Sequence, residues 1–299
     1  MSQSFDNLTL WYGQPAEQWV EALPVGNGRL GAMVFGGTAL ERIQFNEDTL
    51  WTGGPHAYHN KGASGYLSTV RTLLFEGRQA KAQRVALKHM MSDPLRQKAY
   101  QPCGDLYLDV PGHEKANAYR RTLDLDSGTA TVSYDIGDTT FHREVFVSHV
   151  DQVMVVHISA DQPGQVSFTA RLESPHARVR TKAVGRDQLS LTGKIRRGAM
   201  RFECRLLVRT DGGDALATGD HIEVRDADAV TLILTAATNY RSYRRVNADP
   251  AARCDRIIRR IRKKTCETLR DAHVTDHRSL FRRVALDLGG DDAAGKPTD

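Results

Sequence analysis

Cysteine is scarce in this chain, with only four in 299 residues. Cys103 and Cys204 stand far from any other cysteine in the sequence, and the twelve-residue separation of Cys254 from Cys266 fits neither a zinc-ligand spacing nor a CxxC redox motif. The sequence therefore predicts four unpaired thiols and favours a reducing compartment. The strand pattern around Cys204 is typical of a small buried apolar residue.

Long hydrophobic runs are also missing. No segment approaches the roughly 20 consecutive apolar residues of a membrane-spanning helix, and residues 1–6 lack the basic and apolar regions of a signal peptide. We therefore expect no membrane partner and no export signal in the chain as written. The cytoplasm is the default compartment, with the periplasm as the alternative.

The composition, with 40% hydrophobic and 26% charged residues, excludes disorder as the main state of the chain. The formal net charge of +5 comes from one segment, because residues 250–284 hold eleven Lys and Arg against four Asp and Glu. A nucleic-acid groove needs a basic face on the protein as a whole. We therefore expect no nucleic-acid partner, and the basic segment is either a solvated helix face or one that meets an acidic neighbour.

Apolar and polar residues alternate from about residue 105 to residue 237, which is the period of strands with one buried face. Glycine-containing turns follow one another too closely for crossover helices, so the sheets should be antiparallel. The runs 153–158 and 230–234 are continuous apolar runs apart from His157 and Thr231, which is typical of strands buried on both faces where two sheets pack. Residues 29–35 and 42–45 predict a hairpin. The fold class predicted is mainly β, a large antiparallel β-sandwich.

Helical periodicity occurs in two places. Residues 64–91 predict two short helices joined at Gly77, a surface insertion in the sandwich. Residues 250–284 predict one long amphipathic helix, straight or kinked, with Asp249 as its N-cap and Pro250 in its first turn. Beyond it, residues 284–288 have short strand character and residues 289–297 a linker composition. We thus divide the chain into a sandwich domain (5–245), a helical linker (249–284) and a closing segment (285–299).

The chain also carries a series of distinctive motifs. They are WYGQPA (11–16), ALPVGNGRLGAMVFGG (22–37), ERIQFNEDTLWTGGP (41–55), YQPCGDLYL (100–108), YRRTLDLD (119–126), REVF (143–146) and HRSLF (277–281). Together they closely resemble the N-terminal domain of glycoside hydrolase family 95, the α-L-fucosidase family, over essentially the whole chain. Cys103 departs from the family's pattern, which has an apolar residue there.

This resemblance implies a function as well as a fold. In the family, a β-sandwich and a helical linker precede an (α/α)6 barrel that carries the catalytic groups, and the reaction inverts the anomeric centre. An inverting glycosidase needs a protonated carboxylic acid and a base-activated water on opposite sides of the scissile bond. No segment resembles the barrel, so we expect no catalytic residue in this chain and no activity of the chain alone. Its expected partners are the catalytic barrel and a fucosylated oligosaccharide; a stand-alone carbohydrate-binding module and a scaffold for a partner barrel are the alternatives.

Residues 46–55 are the richest cluster of candidate binding groups, with Asn46, Glu47 and Trp51 as the candidate site residues. Carboxylate and amide groups bind sugar hydroxyls, and an indole packs on a sugar ring face. Two interpretations stay open. In one, the loop reaches the cleft between domains and helps to close the fucose pocket. In the other, Trp51 packs under the turn, Asn46 and Asp48 bond the local backbone, and Glu47 is a solvated charge.

Three further sequence patterns do not indicate functional sites. Glu47 and Asp48 cannot act as a catalytic pair, because neighbours along an extended chain point to opposite faces. Gly26, Gly28 and Gly31 match GxGxxG, but the flanking residues predict no strand before and no helix after the motif. Close approach of strands explains these glycines better. His56 and His59 lack a further metal ligand, so we expect solvent-exposed histidines, no metal and no cofactor.

Overall fold

The computed structural model describes residues 8–196, 198–286 and 296–298. Sixteen strands and four α-helices are found in this part of the chain. The strands are β1 (Thr9–Tyr12), β2 (Leu23–Gly26), β3 (Leu30–Val34), β4 (Leu40–Glu47), β5 (Gly104–Asp109), β6 (Asn117–Asp124), β7 (Thr129–Ile136), β8 (Thr139–Ser148), β9 (Val153–Ala160), β10 (Val166–Glu173), β11 (Val179–Ala183), β12 (Gln188–Lys194), β13 (Arg201–Asp211), β14 (Asp214–Thr218), β15 (His221–Ala227) and β16 (Ala229–Thr238). The helices are α1 (Leu67–Phe75), α2 (Gln79–His89), α3 (Pro250–Ile261) and α4 (Cys266–Phe281).

Two antiparallel sheets pack face to face. The larger has nine strands in the order β1-β6-β7-β8-β9-β16-β13-β12-β11, and the smaller has seven in the order β14-β15-β10-β5-β4-β3-β2. Every strand pair in these sheets is antiparallel. The predicted sandwich is confirmed, and so is the predicted hairpin, which is formed by β3 and β4.

The alternating pattern of the sequence fills the space between the sheets. On β4 and β5, the inward positions Ile43, Phe45, Leu106 and Leu108 are almost completely buried, while the residues between them lie partly open to solvent or at the edge. Sheets with one apolar face stack at about 10 Å because their inner side chains interdigitate. This core joins both sheets along their whole width.

Strands β9 and β16 are buried on both faces, as their apolar runs predict. One face contributes to the core between the sheets. The other does not meet a sheet: Val153, Val155 and Ile233 pack with Ile258 and Leu269 of the two C-terminal helices. The amphipathic C-terminal segment is therefore buried against the outer face of the sandwich, which explains why its apolar stripe exists.

The single long helix expected over 250–284 is wrong, because α3 ends at Ile261 and α4 begins at Cys266. Arg209 of β13 donates hydrogen bonds from its guanidinium to the carbonyl oxygens of Ile261 (3.1 Å) and Lys264 (2.6 Å), which replace the helical partners of these groups. Thr265 then caps α4, since its side chain accepts from the backbone N–H of Thr268. The expected N-cap Asp249 is confirmed by its bond from the Ala252 N–H.

Of the remaining expectations, those for α1 and α2 are confirmed and the one for a strand after α4 is not. Helices α1 and α2 are confirmed, with Gly77 between them at a φ of 70° that favours glycine. Residues 284–286 do not form the expected strand, and residues 287–295 lie outside the described part of the chain. Farther on, Thr298 lies against β1, where its N–H donates to the Trp11 carbonyl at 2.9 Å. No helix in the described ranges is long and apolar enough to cross a membrane.

The cysteines and the basic segment behave as the sequence indicates. All four cysteines are free, and Cys204 is fully buried with its sulfur 3.3 Å from that of Cys103. Part of the basic segment meets acidic groups of the sandwich: Lys264 pairs with buried Asp151 at 2.6 Å, and Arg278 and Arg282 both bind Asp126. These pairs fix the helices on the sheet.

We expect His273 to make the docking of α4 dependent on pH. Its ring stacks on Phe146 with centroids 5.0 Å apart, and its Nε2 is buried with no hydrogen-bond partner among the described residues. Burial lowers the pKa of His273, and the neighbouring His277 adds to this effect. In the unfolded chain the same imidazole accepts a proton more readily. The free energy of unfolding should therefore fall as the pH drops through the ordinary imidazole range, since the unfolded state then binds more protons.

We expect the variant His273→Phe to lose less stability than the parent between about pH 7 and about pH 5, because phenylalanine keeps the ring contact and cannot titrate. Urea unfolding curves across this range measure the effect. Some pH dependence should remain, since burial also lowers the pKa of His113 and of His157. Identical pH profiles for parent and variant would contradict the assignment.

Candidate functional site

A cavity of about 780 Å³ opens beyond the end of β4. Four stretches that are distant in the sequence form its walls: the loop after β4, the segment before β5, Met200 just before β13, and the loop after β16. Its lining residues are Asp48, Thr49, Trp51, Thr52, Gly53, Gly54, Pro55, His56, Tyr58, Ser92, Gln97, Lys98, Met200, Tyr240, Ser242, Tyr243 and Val246. The size is that of a site for a small organic ligand.

Trp51 lies in the wall with 41% of its surface exposed. Its indole N–H donates to the Asp48 carbonyl oxygen at 2.9 Å, and its ring packs against Tyr100 with centroids 5.2 Å apart. Tyr100 is itself held by a bridge between the backbones of the two residues, and burial, followed by the charge of Glu47, raises the pKa of Tyr100 to about 12. Trp51 is thus fixed on one side and presents the rest of its indole to the cavity.

Glu47 is not the solvated charge that one interpretation expected. Its side chain is buried, and Oε2 accepts hydrogen bonds from the N–H (2.9 Å) and the hydroxyl (2.6 Å) of Thr49. Its Oε1 lies 3.5 Å from Nη1 of Arg29. The pKa of the Glu47 carboxyl is raised, because the effect of burial exceeds the lowering effect of the Thr49 hydrogen bonds and the Arg29 charge. Because its hydrogen bonds join the end of β4 to Thr49, Glu47 holds in place the loop that lines the cavity.

Asn46 also lies outside the cavity. Its Oδ1 accepts from the backbone N–H of Cys103 at 3.2 Å, so it joins β4 to the approach of β5 and does not form the expected local turn contact. Asp48 is exposed and lines the cavity. Of the three predicted site residues, only Trp51 therefore reaches the cavity, and Glu47 and Asn46 hold its loop.

The cavity wall around Gly53 requires a glycine. Gly53 has a φ of 87°, and a Cβ there would lie 2.9 Å from Cε of Lys98. The Lys98 stem therefore crosses directly over this turn. On the far side, the Gly53 carbonyl accepts from the Ala199 N–H at 2.8 Å, which ties the loop to the approach of β13.

Sequence reasoning missed several lining residues, chief among them Tyr58, Lys98 and Tyr243. Tyr243 is 72% exposed and Arg244 places its guanidinium carbon 5.0 Å above the Tyr243 ring. The aromatic and basic sequence of residues 240–245, YRSYRR, was the available signal. It could not be connected with Trp51, because only the folded sandwich brings the two loops together.

Chemically, the cavity offers ring faces and hydrogen-bonding groups. Asp48 is the one acidic side chain among the described residues that line it. Two opposed carboxyl groups, which hydrolysis of a glycosidic bond needs, are therefore not provided by this wall. The arrangement suits binding of a ligand with both apolar faces and hydroxyl groups.

The glycine and histidine patterns occupy different places, and His56 is among the residues that line the cavity. Gly26 and Gly31 face each other across the β2–β3 hairpin, as expected for close strands and not for a dinucleotide loop. His56 and His59 are exposed, and Nε2 of His56 lies 2.7 Å from the Asp93 carbonyl oxygen. Within the described ranges, no group of three or more His, Cys, Asp or Glu is arranged to hold a metal ion.

Comparison with known proteins assigns the two-sheet sandwich with its docked helices to the glycosidase-like N-terminal domains. The family described as "Glycosyl hydrolase family 65, N-terminal domain" matches residues 10–243. The chain belongs to this family. A solved structure titled "Putative kojibiose phosphorylase from human microbiome" shares the fold, with a TM-score of 0.52 and 11% identity over 92% of this chain and 38% of that one.

Among curated proteins, the chain is similar to "Alpha-L-fucosidase 2" of Arabidopsis thaliana, with 34% identity over 95% of this chain and 37% of the relative. It is also 26% identical to "Probable alpha-fucosidase A" of Aspergillus niger, over 97% of this chain and 39% of the relative. These relatives confirm the resemblance to the N-terminal domain of glycoside hydrolase family 95. The chain spans about two fifths of their length.

Proposed function

We propose that this chain is the N-terminal β-sandwich of an inverting α-L-fucosidase-like glycoside hydrolase that removes terminal fucose from glycans. In this proposal, residues 5–245 form the sandwich domain and residues 249–284 connect it to an (α/α)6 catalytic domain. The observation that carries the proposal is the cavity with Trp51 in its wall and a single carboxylate, in a chain similar to fucosidases over nearly all its length.

The side chains of the cavity indicate which groups this chain supplies and which the catalytic domain must supply. An inverting mechanism places an acid and a base about 6.5–9.5 Å apart on either side of the sugar. Asp48 has no second acidic group in the cavity wall within the described residues, and Glu47 is buried behind it. The acid and base are therefore assigned to the catalytic domain, and the sandwich contributes binding groups at the edge of the active site.

Trp51 supplies the sharpest test, because the chain contains a matched control in Trp19. Both tryptophans are largely exposed, but Trp19 does not line the cavity. The test protein joins residues 1–299 to the part of the Arabidopsis relative outside the matched region. We expect it to hydrolyse an aryl α-L-fucoside with β-L-fucose as the first product, which proton NMR detects.

In this joined protein, Trp51→Ala should lower kcat/KM about tenfold or more, because the ring contact with the sugar is lost. Trp19→Ala should leave kcat/KM unchanged. Equal losses in the two variants, or α-L-fucose as the first product, would contradict the proposal. The carbohydrate-binding module that the sequence left as an alternative predicts a different result: glycan binding by residues 1–299 and no hydrolysis by the joined protein.

A further inference from the structure

The loop after β16 places an unusual amount of positive charge beside the cavity. Arg241, Arg244 and Arg245 are all exposed, and they flank Ser242 and Tyr243, which line the wall. Across the cavity, Lys98 is itself a lining residue. One cation in the wall and three on the adjoining loop thus accompany a site whose described lining contains one carboxylate, that of Asp48.

Within residues 8–196, 198–286 and 296–298, no carboxylate forms an ion pair with any of these four cations. Asp126, in contrast, binds both Arg278 and Arg282. Unpaired like charges around a concave site repel one another and raise the local concentration of anions.

The loop is also built to hold its shape. The N–H groups of Arg241 (2.9 Å) and Ser242 (3.0 Å) both donate to the Arg245 carbonyl oxygen, and the Arg245 N–H donates to the Ser242 carbonyl oxygen at 3.0 Å. Below it, Arg253 of α3 donates to the Tyr240 carbonyl oxygen at 2.7 Å. A fixed backbone lowers the entropy lost when these side chains bind a ligand.

We infer that the cavity binds an acidic glycan, in which a sulfate ester or a uronate carboxylate lies next to the sugar ring that packs on Trp51. This inference rests on the proposed function and narrows its substrate class. The guanidinium groups of Arg241, Arg244 and Arg245 and the ammonium group of Lys98 bind the anionic group. Arginine suits this role because its planar donors match the oxygens of carboxylate and sulfate. The two anionic groups share this chemistry, and separate probes distinguish them.

The experiment uses the full chain and follows tryptophan fluorescence and isothermal titration calorimetry. The probes are methyl α-L-fucoside, its 3-O-sulfate, a fucosyl-glucuronic acid disaccharide and inorganic sulfate. We expect at least one acidic sugar to bind about tenfold more tightly than methyl α-L-fucoside, with a preference that decreases as salt is added. Inorganic sulfate alone should bind more weakly than the sulfated sugar, because it lacks the ring.

The decisive variant is Arg241→Gln/Arg244→Gln/Arg245→Gln. It should bind the acidic sugars no better than the neutral one and retain the parent's affinity for the neutral sugar. The matched control is Arg259→Gln/Arg262→Gln/Lys263→Gln, which removes the same charge from exposed residues near the other end of α3. That helix spans about 18 Å, and the control should keep the preference for acidic sugars.

Three results would overturn the inference. Equal affinity for neutral and acidic sugars refutes it and leaves the proposed function intact. A preference that survives in the loop variant refutes it as well, because the arginines then do not cause the preference. If no sugar binds to residues 1–299, the inference is wrong, and the comparison of Trp51→Ala with Trp19→Ala in the joined protein decides the proposed function separately.

Discussion

Replacing Arg143 with methionine is expected to lower the free energy of unfolding by about 3–5 kcal/mol, because it leaves a buried carboxylate without its partner. Arg143 and Glu41 form an ion pair in which both side chains are almost completely buried. Arg143 also donates to the Gly37 carbonyl oxygen at 3.0 Å, and Glu41 accepts from the Gly36 N–H at 2.8 Å. The pair therefore joins β8 of one sheet to the turn before β4 of the other.

Two companion variants separate charge burial from loss of volume. Burial already raises the pKa of Glu41 with Arg143 present, so the double variant Glu41→Gln/Arg143→Met should recover part of the lost stability. The exposed pair Arg186–Asp214, at 2.9 Å, provides the surface control: Arg186→Met should cost about 1 kcal/mol or less. Urea unfolding measures all three variants. A cost for Arg143→Met as small as that of the surface control would show that the buried pair does not stabilise the sandwich.

The second large effect concerns the docking of the C-terminal helices. Ile261 is fully buried among Phe146, Val153 and Val155, at the end of α3. Ile261→Asp removes this apolar contact and places a carboxyl group where nothing compensates its burial, so we expect a cost of more than about 3 kcal/mol. Hydrogen exchange should show lost protection in residues 250–281, while the strands of the core between the sheets remain protected.

The control for this substitution lies on the second helix. Leu280 of α4 is 56% exposed, and Leu280→Asp should change the free energy of unfolding by no more than about 0.5 kcal/mol. Unchanged protection of α3 and α4 in Ile261→Asp would mean that the apolar stripe does not hold these helices on the sheet.

The sandwich could be predicted because its information is local. Alternation on strands such as β5 and β7 encodes which face is buried, and close turns exclude crossover helices. The outer partner of β9 and β16 could not be predicted in this way, since an apolar run does not reveal what covers it. The break after Ile261 was missed because apolar spacing continues past it, while Arg209, which satisfies the freed carbonyl groups, lies on a distant strand.

The site was predicted only in part for the same reason. Residues 46–55 point to Trp51, which lines the cavity. The roles of Glu47 and Asn46 depend on contacts with Arg29 and Cys103 that the sheet creates. Lys98 and Tyr243 reach the cavity from segments that no local pattern connects. The sequence could identify the loop that carries Trp51, whereas only the folded structure shows which other segments line the cavity.

An activity assay of residues 1–299 alone tests most directly whether this chain binds the sugar without supplying the catalytic acid and base. The purified chain is incubated with an aryl α-L-fucoside, and release of the aryl group is followed against a buffer blank. We expect no release of the aryl group above the uncatalysed rate, because the cavity wall supplies binding groups without an acid–base pair. Turnover that stays with the chain through purification and disappears in Asp48→Asn or Glu47→Gln would contradict this expectation.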